Sequence, residues 1–142
     1  MRRYKRFSVH DFIRDRKSWE KEIKDYREEL ESIRGLKSVE GGGRSNTISR
    51  PTENQALKCN QLEVSIARCE MYQKAWAYVE RELSDREKEL IKGFYESHYS
   101  IGRFVEEYAR KYALNIRYVY RERRRMEEHI FNLMRDAGFD VL

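Results

Sequence analysis

The sequence is poor in residues with specialised chemistry. Its 142 residues include one proline, two cysteines and three histidines, and no C-x-x-C pair. The spaced His and Cys ligands of a zinc site are therefore missing, and we expect neither a metal nor another cofactor. No apolar run approaches the roughly 18 residues of a membrane-spanning helix, and no signal peptide is recognisable. We expect a cytoplasmic protein that does not bind membranes.

The residue patterns of catalysis are also missing. No nucleophile is paired with a base, and no carboxylates cluster in a loop. Carboxylates such as Glu28, Glu29 and Glu31 fall on a charged helix face, where pairing at i,i+4 accounts for them. Three consecutive glycines, 41–43, belong to no phosphate-binding motif. We therefore expect a protein that is not an enzyme.

The two cysteines are predicted to be reduced. Cys59 and Cys69 lie ten residues apart on one predicted helix, which places them about 15 Å apart along its axis. A disulfide needs Cα atoms within about 7 Å. The sequence therefore predicts two buried, unpaired thiols.

Charge dominates what the sequence does contain. Charged residues make up 39% and the net charge is +5, a composition typical of an all-α protein rich in surface ion pairs. Basic residues cluster at both ends of the chain. The first cluster, Arg2-Arg3-Tyr4-Lys5-Arg6, suits either an arm that grips phosphates or ordinary solubilising charge.

A first long helix is predicted from Ser8, with Asp11 supporting the cap, to Gly35, which would end it. Apolar residues recur along it at spacings of three and four, and Arg16 fills the one missing place. A repeat this regular favours a long partner helix, while packing on a globular core is the alternative. The repeat consists of Phe12, Trp19, Ile23, Tyr26, Leu30 and Ile33.

A second long helix is predicted after a flexible linker at about residues 35–51. Pro51 and Thr52 restart the chain, and Gln55 completes a capping-box pattern. Its repeat consists of Cys59, Leu62, Ile66, Cys69, Trp76 and Leu83. We therefore predict that residues 1–82 form a long antiparallel helical hairpin. A further apolar face would contact the rest of the chain or form a homo-oligomer; its members are Leu57, Val64, Met71, Tyr72, Ala75 and Val79.

Residues 83–142 are predicted to form three helices in a helix-turn-helix arrangement. Ser84 and Glu87 form a capping box that opens a helix ending at about Ser97, and Gly93 inside it indicates a close packing neighbour. Ser100 caps the second helix, Ala113 and Leu114 form the turn, and Asn115 caps the third helix. The buried residues are expected to be Leu90, Ile91, Phe94, Ile101, Phe104, Val105, Tyr108, Tyr112, Ile116, Val119, Met126, Ile130 and Leu133.

The third helix carries a dense arginine face opposite its buried stripe. Because arginine donates two hydrogen bonds to guanine or to phosphate, this face is typical of DNA recognition. A solvated face neutralised by acidic residues of the hairpin is the plainer alternative. The candidates for contact with bases are Asn115, Arg117, Tyr118 and Arg121. The candidates for contact with the DNA backbone are Arg103, Arg110, Lys111, Arg124 and Arg125.

The C-terminal part resembles region 4 of sigma-70 factors. Three segments carry this resemblance: Leu83-Ser84-Asp85-Arg86-Glu87, Phe94-Tyr95 and Val119-Tyr120-Arg121. Over nearly its full length the chain is similar to the small phage late-gene regulators of the ArpU and RinA type, which share the central stretch from Gly43-Arg44-Ser45-Asn46 to Pro51-Thr52-Glu53-Asn54. It departs from sigma region 4 at Tyr112-Ala113-Leu114-Asn115, which lacks the usual Gly-x-Ser turn. Nothing similar to sigma region 2 is present.

The resemblance implies a phage or prophage regulator that binds double-stranded DNA and activates late genes. It further implies host RNA polymerase as a partner and a location at the nucleoid of a bacterial host cell. The alternative is a small terminase subunit, a packaging protein that also combines a helix-turn-helix with a helical oligomerisation part. Such a protein recognises packaging-site DNA and forms rings.

Overall fold

A computed structural model describes residues 7–40, 49–96 and 100–139 of the chain. Every regular element in these ranges is an α-helix, which confirms the predicted all-α fold class. The helices are α1 (Val9–Asp15), α2 (Trp19–Glu40), α3 (Ser49–Glu82), α4 (Asp85–Tyr95), α5 (Ile101–Lys111) and α6 (Ile116–Asp136). The predictions for the basic segment 2–6, for the glycines at 41–43 and for Ser97 lie outside the described residues.

The chain divides into two compact units. One unit contains the chain up to Arg16 together with everything from Ala75 onward, and the other is Lys17–Lys74. The helix α3 therefore contributes its first part to one unit and its last two turns to the other. The predicted division into residues 1–82 and 83–142 has its boundary at a different place. It assigns an association role to the first part and DNA binding to the second, and these roles stay predictions.

The unit Lys17–Lys74 packs α2 against the first part of α3. Its buried apolar residues are Trp19, Ile23, Leu30, Leu62 and Cys69. Among the described side chains, the two helices are joined by the ion pairs Arg27–Glu70 at 2.7 Å, Arg34–Glu63 at 2.6 Å and Lys58–Glu29 at 3.0 Å. Because these side chains are largely exposed, apolar burial rather than ion pairing stabilises this unit.

The other unit contains α1, the end of α3, and α4 to α6. Its core combines short apolar segments from all of them: Phe12, Ile13, Ala75, Val79, Leu83, Leu90, Ile91, Phe94, Val105, Tyr108, Ala109, Val119, Met126, Ile130 and Met134. The helix α1 contacts both α4 and α6, and α5 contacts both as well. The residues before Arg16 thus pack with the C-terminal helices.

The single helix predicted from Ser8 to Gly35 is wrong, because the chain leaves the helical conformation at residues 16–18. The predicted cap itself is confirmed, since the Ser8 side chain accepts a hydrogen bond from the backbone N–H of Asp11 at 3.2 Å. Arg16 ends α1 by donating a hydrogen bond to the carbonyl of Ile13 at 2.7 Å. Its guanidinium also pairs with Glu96 and lies over the Trp76 ring at 5.2 Å. Arg16, which fills the missing place of the predicted repeat, thus makes tertiary contacts at the end of α1 and does not continue the helix.

Two predicted helix ends are also wrong. The helix α2 continues through Gly35 to Glu40, and Gly35 does not have the positive φ of a helix-terminating glycine. The helix α3 begins at Ser49, so Thr52 lies inside it and is not at the N-cap position that was predicted for it. Pro51 is tolerated there because the N–H groups of a first helical turn have no helical partner to lose.

The predicted start of α4 is confirmed. Ser84 and Glu87 form the full capping box, with the Ser84 N–H donating to the Glu87 carboxylate at 3.1 Å and the Glu87 N–H donating to the Ser84 hydroxyl at 3.2 Å. The helix ends at Tyr95, slightly earlier than predicted. The close neighbour expected at Gly93 is the Phe104 ring, which a Cβ atom at this glycine would overlap.

Several burial predictions need correction. Ile101 and Ile116 are 43% and 47% exposed, because each is the first residue of its helix and lies at the edge of the core. Met134, eight residues after Met126, takes the buried place predicted for Leu133, which is half-buried. Of the two cysteines, Cys69 is buried but Cys59 is only half-buried. Both thiols are free, as predicted.

Candidate nucleic-acid interface

The turn between α5 and α6 sets where α6 begins. The backbone N–H of Leu114 donates to the carbonyl of Ala109 at 2.7 Å, and that of Ala113 donates to the carbonyl of Arg110 at 3.4 Å. This pair of bonds is a Schellman motif, in which the residue after the cap takes a left-handed conformation. Ala113 takes it with φ 53°. An alanine thus occupies the position for which glycine is usually selected, so the turn closes without a glycine.

The inner face of α6 holds the helix firmly in its unit. Val119, Met126, Ile130 and Met134 are all at most 1% exposed. Their spacing of seven, four and four residues defines one side of the helix. The residues opposite them are consequently presented to solvent.

That outer face carries the predicted arginines. Arg117, Arg121, Arg124 and Arg125 are all exposed. In the part of the chain that the structure describes, none of these four guanidinium groups forms an ion pair with a carboxylate. Arg121 lies over the ring of Tyr118 at 5.3 Å, and Tyr118 is itself 52% exposed. We call the surface formed by Arg117, Tyr118, Arg121, Arg124 and Arg125 the arginine face.

Asn115 occupies the predicted N-cap position, but its side chain makes no capping hydrogen bond. The expected side-chain cap is therefore wrong, although the expected start of the helix is right. The first turn of α6 contains no acidic residue. The positive charge of Arg117 therefore adds to the partial positive charge of the helix N-terminus, and no carboxylate of the first turn offsets it.

Of the three candidates on α5, Arg110 is exposed, and Arg103 and Lys111 are engaged within the protein. Arg103 lies 3.4 Å from the carboxylate of Glu107. Lys111 donates a hydrogen bond to Glu89 at 2.9 Å, and this bond raises the pKa of Lys111, which therefore stays charged. Both side chains are about 60% exposed or more, so these surface pairs leave them accessible to a stronger anion. The structure places them on α5, outside the arginine face.

Arg123 differs from its neighbours because it faces inward. It lies 3.4 Å from Glu127 and 3.1 Å from the Nδ1 atom of His10, and its guanidinium lies over the Phe94 ring at 4.6 Å. The Tyr95 hydroxyl donates to Glu127, and burial together with this carboxylate raises the pKa of Tyr95. Arg123 therefore links α6 to α1 and α4, and it is not part of the arginine face.

A second polar cluster, which the sequence did not indicate, lies where α4, α5 and α6 meet. Arg86 donates from Nε to the Tyr108 hydroxyl at 2.8 Å and from Nη2 to Glu122 at 2.6 Å. The Tyr108 hydroxyl donates to the other oxygen of Glu122 at 2.6 Å. Burial, and then this hydrogen bond, raise the pKa of Tyr108, so its phenol remains neutral. We call Arg86, Tyr108 and Glu122 the clamp. Arg86 and Tyr108 are 22 residues apart in the sequence, and Tyr108 and Glu122 are 14 apart, so no helical spacing relates them.

Two other features are absent from the described ranges. No group of three or more His, Cys, Asp or Glu side chains there is arranged to hold a metal ion. Among the same residues, no helix is both long and apolar enough to cross a bilayer.

Comparison of the chain with protein-family models, with curated proteins and with solved structures finds no match.

Proposed function

We propose that the protein binds double-stranded DNA, with the start of α6 in the major groove and α5 across the backbone. The observation that carries the proposal is the arginine face. Four exposed arginines, which have no carboxylate partner among the described residues, lie on one side of a helix whose opposite side is fully buried. Elsewhere, arginines such as Arg27, Arg34 and Arg86 are paired with glutamates. A cationic surface that the fold leaves unneutralised suits a polyanion.

The chemistry divides between the two halves of this face. Asn115, Arg117, Tyr118 and Arg121 lie at the N-terminal end of α6, the end that meets base edges in helix-turn-helix proteins. Arg124 and Arg125 lie about two turns further along and suit the phosphates at the edge of the groove. In this proposal, phosphate contacts supply most of the affinity and base contacts supply the sequence preference.

We further propose, on the resemblance to ArpU- and RinA-type regulators and to sigma region 4, that this DNA is a phage or prophage late promoter. The α2–α3 pair then serves as the helical hairpin that associates copies of the protein. Its ion pairs support an antiparallel arrangement, since Arg27 meets Glu70 while the later Arg34 meets the earlier Glu63. Host RNA polymerase is the further partner that this role requires.

The direct test starts with in vitro selection of bound DNA from a random duplex library. Binding of the selected duplex is then measured by fluorescence anisotropy at several salt concentrations. The double variant Arg117→Ala/Arg121→Ala should lose about 1–3 kcal/mol for each specific contact removed. Because both residues are exposed and alanine favours helix, far-UV circular dichroism and melting should stay unchanged.

The matched control removes the same charge from a different surface. Lys21→Ala/Lys24→Ala replaces two exposed lysines of α2 and should leave binding nearly unchanged. Equal losses in both double variants would show that only net charge matters and would contradict recognition by α6. Wild-type affinity of the α6 variant would contradict DNA binding by this face altogether.

The selected DNA sequences and the oligomeric state of the protein distinguish the regulator from the packaging protein. Selected sequences that map to a promoter, with a monomer or dimer in light scattering, support the regulator. A ring of several subunits that binds a packaging site supports a small terminase subunit instead.

A further inference from the structure

Glu122 is the one acidic residue in the sequence between Ile116 and Arg125, a stretch that contains five arginines. Its position on the helix is three residues before Arg125, and i,i+3 residues are neighbours on a helix surface. Both side chains also line the same surface groove. A free carboxylate at this place would therefore pair with Arg125 and remove one cation from the arginine face.

The clamp prevents that pairing. Each oxygen of Glu122 accepts a separate hydrogen bond, one from Arg86 at 2.6 Å and the other from Tyr108 at 2.6 Å. These donors belong to α4 and α5, so they hold the carboxylate on the side of α6 that faces the rest of the unit. Arg86 is held in turn, because its guanidinium lies over the Tyr112 ring at 4.3 Å.

We propose that Arg86 is a positioning residue for DNA binding, which keeps Glu122 away from Arg125 and fixes the outward orientation of the arginine face. This inference rests on the proposed function. Arg86 itself does not touch DNA in this proposal and acts through Glu122. Through the clamp, an ion pair within the protein thus affects the strength of the contact between Arg125 and DNA.

The test compares DNA affinity and its salt dependence among clamp variants. Arg86→Met keeps the length of the side chain and releases Glu122, which then neutralises Arg125. We expect the slope of log K against log salt to become shallower by about 0.9, which corresponds to one phosphate contact and to about eightfold weaker binding at 0.1 M salt.

Removing the released carboxylate should restore binding. In Arg86→Met/Glu122→Gln the amide oxygen can still accept a hydrogen bond from the Tyr108 hydroxyl. Because no negative charge remains there to pair with Arg125, the salt slope should return to its wild-type value. The charge-matched control is Arg86→Met/Glu28→Gln, which restores the same net charge through an exposed glutamate of α2 and should remain defective. A clamp that served only the stability of the fold would show no recovery in the Glu122 double variant.

Two outcomes overturn the proposal. One is a wild-type salt slope in Arg86→Met, and the other is equal recovery in both double variants, which would indicate a long-range effect of net charge. If Arg86→Met does not fold, Glu122→Gln alone decides, because it should bind DNA at least as tightly as wild type. An equally unchanged Arg117→Ala/Arg121→Ala variant would refute the proposed function, whereas a defect there with none in Arg86→Met refutes the clamp alone.

Discussion

The contact between Gly93 of α4 and Phe104 of α5 offers a quantitative test of the packing that positions α6. A Cβ atom at Gly93 would overlap the Phe104 ring, and this ring packs edge-on against Phe94 with centroids 5.3 Å apart. Overpacking of this kind typically destabilises by about 1–3 kcal/mol. Alanine gains about 1 kcal/mol over glycine in a helix interior. For Gly93→Ala we therefore expect a net loss of up to about 2 kcal/mol.

The mechanism predicts that the effect changes sign when the ring is removed. Phe104→Ala lacks all the ring atoms that the new Cβ would meet, so in that background Gly93→Ala should be neutral or stabilising by up to about 1 kcal/mol. Urea unfolding of the four proteins, followed by circular dichroism, gives the coupling energy between the two positions. We expect about 1–3 kcal/mol, well above the roughly 0.5 kcal/mol of independent sites.

Gly102 provides the matched control on α5. A Cβ atom there would meet nothing within 4 Å, so Gly102→Ala should stabilise the protein by up to about 1 kcal/mol through helix propensity alone. Additive effects of Gly93→Ala and Phe104→Ala would refute the proposed overlap. Equal destabilisation by both glycine replacements would refute the reasoning about helix propensity.

Two further predictions concern pH and the N-terminal segment. Burial raises the pKa of Glu87, but hydrogen bonds with His129 and Ser84 outweigh burial and hold it below its ordinary value of 4.5. Its contribution to stability is therefore complete above about pH 4.5 and is lost as the pH falls further. Between pH 7 and pH 3.5, the free energy of unfolding in urea should fall less in Glu87→Gln than in wild type. Equal decreases in the two proteins would count against a stabilising role of the Glu87 carboxylate. Ser8, Val9 and His10, which follow the basic segment 2–6 in the sequence, line one groove with Arg124. Replacing Arg2, Arg3, Lys5 and Arg6 with alanine should make the salt slope shallower by about 2–4 while keeping the selected sequence preference; an unchanged slope would assign these residues to solubility.

Local features of the fold were largely predictable from the sequence. Ser84 with Glu87, Ser100 and Ser8 cap helices as predicted, because a cap joins residues only two or three positions apart. The buried stripe of α6 was mostly predictable for the same reason, since Val119, Met126 and Ile130 follow the helical period. The prediction that Gly35 ends a helix was wrong, and so was the start of α3 predicted at Pro51 and Thr52, because α2 continues to Glu40 and α3 begins at Ser49.

The candidate site was predictable in its residues but not in its organisation. The arginines from Arg117 to Arg125 stand out in composition. Helical spacing already sets Arg123 apart from its exposed neighbours, because it lies four residues after Val119 and three before Met126, on the side of the buried stripe. Its contacts there, with Glu127 and with the Phe94 ring of α4, have no signature in the sequence.

The sequence by itself determined that the chain is helical, where most helices begin, and which helix carries a dense arginine face. These properties follow from interactions across at most four residues and from the period of the apolar pattern. Tertiary structure decided the rest. Arg16 ends α1 in contact with Glu96, and Arg86 holds Glu122, across 80 and 36 residues respectively. Such contacts have no local signature, because they form only after the fold has brought distant segments of the chain together.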